Sequence, residues 1–492
     1  VGRRADAAVG GRARLKVIAL LSAVIGLDGA DKATVSVNAG DIENAFQVGH
    51  TDIGLLISLT SLTGALCTLP AGVLVDRIAR TRLLAVSVVL WSAATLLAGA
   101  SGSYLWLLLS RVALGAVTAT AAPAVASLMG DCFPAAERAR LYGYVLAGEV
   151  LGTGAGYVLS NTVTALLTWR YSFAWLAFPG AFLAWVLWRV PEPPRSGGDW
   201  LRPGLRHIPS GGGGVKHQPD RSEEVARSEE VARGAGVAPE PVRGTAGGPA
   251  AQPYPGRVLH EDPACMPAWR AFVYVLRIRT VVLMIVASTL AYFFFAGLRT
   301  FALFYVIHHY GVGRFTAGAM TLLIGVGVLA GLLLGARAPD WALWRGRANG
   351  RVLVPAVVLL TAPLAFAPGL TTGSPVLAVP LLALGGALLA AANPPLDAAR
   401  LDIVPPGLWG RSEGTRTFVR TSGEFVGPLL FGALSSQVFT GRGGTGGLET
   451  TFHLGLVALF AAGLVSLLAL RTYPRDVATA LESARVAGSG PG

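Results

Sequence analysis

The feature that most constrains this chain is a series of twelve long apolar segments separated by stretches in which the arginines gather. A hydrocarbon core of about 30 Å takes roughly 20 apolar residues in helical form. Segments 15–37, 51–74, 83–100, 104–127, 140–165, 172–190, 280–308, 315–336, 351–368, 376–399, 415–439 and 451–471 reach or approach that length. Only 14% of the residues are charged and 53% are hydrophobic, against roughly a quarter charged in a soluble domain. The chain therefore reads as an all-α membrane protein with twelve transmembrane helices. An even count puts both termini on one side. Allowing several residues at each span end, 34 of the 40 lysines and arginines fall on that side, three (Arg170, Arg314, Arg442) on the other, and three (Lys32, Arg111, Arg299) inside spans. Cytoplasmic loops carry such an excess, so both termini are expected in the cytoplasm and the protein in the cell membrane. The net charge of +12 is assigned to that membrane surface and not to nucleic acid.

The spans divide six and six. The expected organisation is a cytoplasmic tail at 1–14, a six-helix bundle at 15–190, a cytoplasmic linker at 191–277, a second six-helix bundle at 278–471 and a cytoplasmic tail at 472–492. The linker is rich in Gly, Pro, Ser and Arg and contains GGGG at 211–214 and RSEEVA twice, at 221–226 and 227–232. Such a sequence buries too little apolar surface to offset its ordering entropy, so most of it is expected to be disordered. Near its end, Trp269, Phe272, Val273, Val275 and Leu276 alternate with Arg270, Arg277 and Arg279. This pattern fits either a short helix lying at the inner interface or the start of span seven. Cys67, Cys132 and Cys265 are too widely spaced for a disulfide framework or a metal motif. No GxxxxGK[ST], HExxH or GxSxG occurs and the histidines are scattered, so neither ATP hydrolysis nor an enzyme, cofactor or metal is expected.

Between spans two and three stand Gly72, Asp76, Arg77, Arg80 and Arg82. A glycine ending one helix and an acid four residues later make a tight turn whose carboxylate can pair with basic groups or with a neighbouring helix N-terminus. The spacing G-x-x-x-D-R-x-x-R-x-R resembles the signature loop of the major facilitator superfamily. Arg111 and Gly115 in span four resemble its R-x-x-x-G segment. Gly148, Gly152 and Gly156, which four-residue spacing places on one helix face for close packing, are similar to the glycine-rich fifth span of proton-driven exporters, without its usual proline. The second half repeats the plan in degraded form, with Gly335, Asp340, Arg345 and Arg347 and one extra residue between Gly and Asp. The resemblance implies two pseudo-symmetric six-helix bundles around a central cavity near the bilayer midplane.

Shorter matches resemble the spinster-like branch: Asp31-Lys32 followed by Asp41-Ile42-Glu43, the run Leu151 to Tyr157, Pro191 to Arg195, Ala392-Asn393-Pro394-Pro395 and Val404-Pro405-Pro406. That branch implies a proton-linked carrier of lysophospholipids or sphingoid lipids. One departure is Thr118, where the branch has an acid seven residues after Arg111.

With no nucleotide motif, the driving energy is expected from a gradient, and proton coupling needs an acid that meets the two aqueous sides in turn. Asp28, Asp31 and Lys32 share one face of span one by i, i+3 and i+4 spacing. Glu149 lies about ten residues, roughly 15 Å, into span five. Asp31 and Glu149 are the protonation candidates, with Asp28, Lys32 and Arg111 as charge partners; a permanent Asp28–Lys32 pair and a permanent Arg111–Asp31 pair are the alternative. Asn393 at the Pro-Pro break is a candidate cavity-lining group. Arg420 and Glu424, four apart in span eleven, line the cavity or pair at its inner end, and Arg299 meets an anionic head group or snorkels outward. The expected function is secondary active transport by alternating access in a monomer, probed by protons, membrane lipids and a small-molecule or lipid-like substrate; the alternative is proton-coupled export of drugs or secondary metabolites.

Overall fold

The computed structural model describes residues 12–48, 50–134, 137–193, 252–260, 263, 266–344, 349–435 and 446–488. The predicted disorder of the linker and the first residues of the N-terminal tail fall largely outside them. The first half comprises α1 (Arg12–Val37), α2 (Ala39–Phe46), α3 (His50–Arg77), α4 (Arg80–Gly99), α5 (Tyr104–Thr118), α6 (Ala121–Cys132), α7 (Arg138–Leu166) and α8 (Trp169–Trp188). The second comprises α9 (Ala268–Arg277), α10 (Arg279–Tyr310), α11 (Arg314–Trp344), α12 (Gly350–Thr371), α13 (Pro375–Ala391), α14 (Asn393–Ile403), α15 (Trp409–Ala433) and α16 (Gly446–Gly488).

All twelve predicted spans are helical over most of their described residues, and nine stretches among the described residues are apolar and long enough to cross a membrane. The spans outside that set are α1, α7 and α15, whose in-span charges and glycines lower their hydropathy. Span four, read as continuous, is broken, and span ten breaks where the Pro-Pro pair predicts. Pro123 cannot donate to Ala119 and crowds its carbonyl, and the helix breaks between Thr118 and Ala121; the Thr120 hydroxyl there donates to Ser87 at 2.8 Å. Pro394 and Pro395 act likewise on the chain at Ala392.

Helix pairing shows the pseudo-symmetry directly. In the first half α1 packs on α7, α3 on α5, and α4 on α8; in the second the equivalent pairs are α10 with α15, α11 with α13, and α12 with α16. The halves meet through another equivalent pair, α3 on α15 and α7 on α11. Parallel α1 and α7 approach until backbones touch: a Cβ on Gly152 would lie 2.0 Å from the Gly26 carbonyl oxygen, and one on Gly148 2.4 Å from that of Ser22. Gly331 and Gly335 do the same for α11 against α13. Backbone cannot yield as a side chain can. Gly152→Val is accordingly expected to cost at least about 3 kcal/mol, read as a lowered thermal midpoint and a lost monodisperse peak in detergent. Gly154→Val, with open space around it, is expected to leave both unchanged.

The residues assigned to the C-terminal tail continue α16 to Gly488. At 1.5 Å per residue its 43 residues span about 64 Å, twice the hydrocarbon thickness. The last part of the linker lies along this extension: the Tyr254 N–H donates to the Thr479 hydroxyl at 3.0 Å and the Leu259 N–H to Ser483 at 3.1 Å. Beyond it, α9 forms as a separate ten-residue helix, ended at Ile278 before α10 begins, and so is not the start of span seven.

Candidate functional site

Two layers of charge lie between the bundles. The first is at the arginine-rich end. Gly72 brings α3 against the start of α15, where a Cβ would meet the Gly410 carbonyl oxygen at 2.6 Å. One turn on, the buried Asp76 accepts the Gly410 N–H at 2.9 Å on one oxygen and the Arg411 N–H at 3.0 Å on the other. The carboxylate thus caps the first turn of α15, where unpaired N–H groups and the helix dipole both favour an anion. Arg80, also buried, fastens the first half to itself: it pairs with Asp131 at the end of α6 and donates to Glu192 Oε1 at 2.7 Å and to the Pro193 carbonyl at 2.8 Å beyond α8. Arg77 is exposed. Burial pushes the Glu192 carboxyl up, but hydrogen bonds from the Thr81 N–H and hydroxyl and from Arg80 hold it below its ordinary value. A depressed acid stabilises the fold above its unfolded value, and that contribution is lost as pH falls through the lower, folded one.

Beside this latch, Arg138 of α7 reaches Asp402 at 3.5 Å and lies over the Trp409 ring at 5.2 Å. A Cβ on Gly130 would collide with that ring. Asp402 also pairs with Arg351 and accepts from the Tyr473 hydroxyl at 2.8 Å. Next to it, Asp397 and Arg400 of α14 form a fully buried network with Glu413 and Arg416 of α15: Arg416 meets Asp397 at 2.5 Å and Glu413 at 3.1 Å, and Arg400 pairs with Glu413. The sequence reading counted Arg400, Arg411 and Arg416 as loop cations. They are helical, buried and paired, so they are structural charges of the closed end.

The second layer lies one turn of α15 further from that end. Glu149 and Arg420 each stand eleven residues after the start of their helices, α7 and α15, which are pseudo-symmetric equivalents. Lys32, Asp28, Arg420 and Glu424 are the charged groups that act on Glu149. Lys32 is paired with Asp28, and its side chain is still 58% exposed. Arg420 approaches Glu424 at 3.5 Å and covers the Tyr292 ring of α10 at 4.5 Å. The Lys32–Asp28 pair of the first bundle and the Arg420–Glu424 pair of the second both keep partial solvent exposure, and the half-buried Glu149 lies within electrostatic reach of both, while Glu413 and Arg416, a turn below, are sealed. The charged side chains of the α14–α15 network at the arginine-rich end are buried, and Lys32 is the most exposed charge of the second layer.

The predicted site residues separate into three groups. Asp28, Lys32, Glu149, Arg420 and Glu424 come together, and Arg420–Glu424 lies mid-helix, not at the inner end. Asp31 does not join them: it is buried and accepts from both terminal nitrogens of Arg111, at 2.8 and 2.6 Å. Arg299 is exposed seven residues beyond Tyr292 on α10, over the Phe295 ring at 5.8 Å, and Asn393 is half-buried at the α13–α14 break. In the degraded second loop, Gly335 packs on Ala391, while Arg345 and Arg347 lie outside the described residues. Sequence reasoning missed Tyr292, Trp409 and the Asp397–Arg400–Glu413–Arg416 network; the i, i+3 acid–arginine pairs at 397/400 and 413/416 were the only local signal.

The model of the Major Facilitator Superfamily matches residues 21–428. The chain belongs to that family. It is a family of membrane transporters, not of enzymes. The chain is 25% identical over 208 residues to the D-galactonate transporter of Escherichia coli O6:H1 (strain CFT073), covering 42% of this chain and 48% of that one. It is 31% identical over 159 residues to protein spinster homolog 3 of Homo sapiens, covering 32% and 31%. The matched region thus spans less than half the length of these curated relatives. Over the whole fold it is similar to the proton:xylose symporter XylE bound to 6-bromo-6-deoxy-D-glucose, with a TM-score of 0.63 at 15% identity, covering 93% of this chain and 94% of that one. Distant homology to spinster proteins, expected from the short matches around Asp31 and Glu149, therefore stands among several branches of the superfamily.

Proposed function

We propose that this facilitator works by alternating access, couples transport to protons through Glu149, and carries an amphiphile with an anionic head group, of lysophospholipid type. The observation that supports it is the half-buried Glu149 within electrostatic reach of one partly exposed ion pair from each bundle, Lys32–Asp28 and Arg420–Glu424, above a sealed charge layer. In the ionised state Glu149 has Lys32 and Arg420 as counter-charges. Protonation releases both cations to an anionic head group, so proton and cargo load together. The apolar bundle walls take the rest of the molecule. Lys32, with the most solvent access, meets the cargo first. Asp31 and Arg111, closed on each other, position α1 against α5. By the positive-inside rule the sealed end is cytoplasmic, both termini are inside, and the described conformation faces outward, in a cell-membrane protein acting as a monomer.

A second reading, a hydrophilic organic anion, is favoured by the D-galactonate transporter among the relatives; the same cations would hold its carboxylate. Proteoliposomes loaded with a pH-sensitive dye test both. Lysophosphatidylglycerol is expected to drive proton movement, D-galactonate and the lipophilic cation tetraphenylphosphonium not. Glu149→Gln is expected to cut that movement at least tenfold while cargo exchange without a gradient persists. Unchanged proton movement in Glu149→Gln overturns the coupling assignment; a response to galactonate alone, or to the cation alone, overturns the cargo class.

A further inference from the structure

The short helix α9 and the chain before it enclose a cleft of about 450 Å³ at the arginine-rich end, with Leu259, Met266, Trp269, Val273, Arg270 and Arg277 among its lining residues. Three observations give it a ligand chemistry. Its walls are apolar inside and basic at the rim, with Arg270, Arg277 and His260 and no acid among the described lining residues. Trp269, stacked on Phe272 at 5.6 Å, is 72% exposed, where an amphipathic aromatic ring belongs at the head-group level. The cleft is also held in shape: the Tyr274 hydroxyl donates to the Arg257 carbonyl at 3.1 Å, and Arg257 approaches Asp476 at 3.9 Å. Ala271 and Val275 bury the opposite face of α9.

The geometry points to a binding site for one membrane phospholipid with an anionic head group, its phosphate between Arg270 and Arg277 and the upper part of an acyl chain against Trp269, Val273 and Met266. The site bears on the inner latch. α9 packs on α15, and the Pro263 carbonyl just before it accepts from Arg411 at 3.0 Å, the residue whose N–H is held by Asp76. A lipid that steadies α9 therefore steadies the sealed end.

The test needs no cargo, so its outcome is independent of the transport reading. Native mass spectrometry of the full chain, equilibrated with phosphatidylglycerol against phosphatidylcholine, is expected to show at least tenfold preference for the anionic lipid. Arg270→Ala with Arg277→Ala is expected to remove it, at about fivefold per arginine. The Arg270→Lys, Arg277→Lys pair is expected to keep the preference, since attraction to an anionic head group follows charge, and Trp269→Ala to weaken both lipids alike. Equal retention of the two lipids by the native chain, an unchanged preference in the double alanine variant, or displacement of the lipid by equimolar inorganic phosphate overturns the proposal.

Discussion

Arg111→Ala is expected to lower the stability of the folded protein by about 3–5 kcal/mol, the cost of leaving one member of a buried ion pair without its partner. The pair is bidentate, its side chains are only 4% and 3% exposed, and the guanidinium also lies 5.9 Å from the Phe173 ring centroid. Alanine leaves the Asp31 carboxylate ionised in an apolar surround, or forces it to take a proton. Asp31→Asn with Arg111→Gln removes both charges and is expected to recover most of the loss, because the penalty belongs to the unpaired charge and not to the missing attraction. Thermal and denaturant midpoints in a mild detergent read both. A single variant within about 1 kcal/mol of the native chain would show that the pair is dispensable to the fold.

What the sequence made legible is what repeats locally. The twelve spans follow from run length. The close-packing face of α7 follows from glycines four apart, since that spacing alone puts Gly148, Gly152 and Gly156 on one face; that α1 is the helix packed there does not. Asp76 was found because its glycine and arginines lie within ten residues of it. Its partners were not legible: the Gly410 N–H it accepts is 334 residues away, and a backbone N–H leaves no mark in a sequence. The same limit hid the buried network. Arg400 and Arg416 look like loop cations by their place between spans, and only the packing of α14 on α7 and of α15 on α3 and α6 removes them from water. The exposed cluster failed to declare itself for the opposite reason. Lys32 with Asp28, Glu149, and Arg420 with Glu424 stand on three helices, each ambiguous in sequence between cavity and permanent pair. Juxtaposition separates them: Asp31, one residue from Lys32, points to a sealed partner, and Lys32 to the open one.

The inner latch carries the largest expected conformational effect. Asp76 supplies two hydrogen bonds from a carboxylate to backbone N–H groups across the bundle interface, and bonds to charged groups contribute about 1.5–3 kcal/mol each. Part of that returns as hydration once the end opens, so Asp76→Ala is expected to move the balance toward the form open at the arginine-rich end by roughly ten- to a hundredfold. Spin labels on Arg82→Cys and Trp341→Cys, exposed positions at the inner ends of α4 and α11, read the shift as growth of the long-distance population. Asp76→Asn keeps one oxygen acceptor and is expected to fall between. Arg411→Ala is the decisive control: its guanidinium is 3.6 Å from Asp76 and donates elsewhere, so a latch made of backbone N–H groups survives its removal, whereas one made of an arginine–aspartate pair does not. A distance distribution unchanged in Asp76→Ala, or shifted as far by Arg411→Ala, would mean that the capped helix start does not hold the closed end.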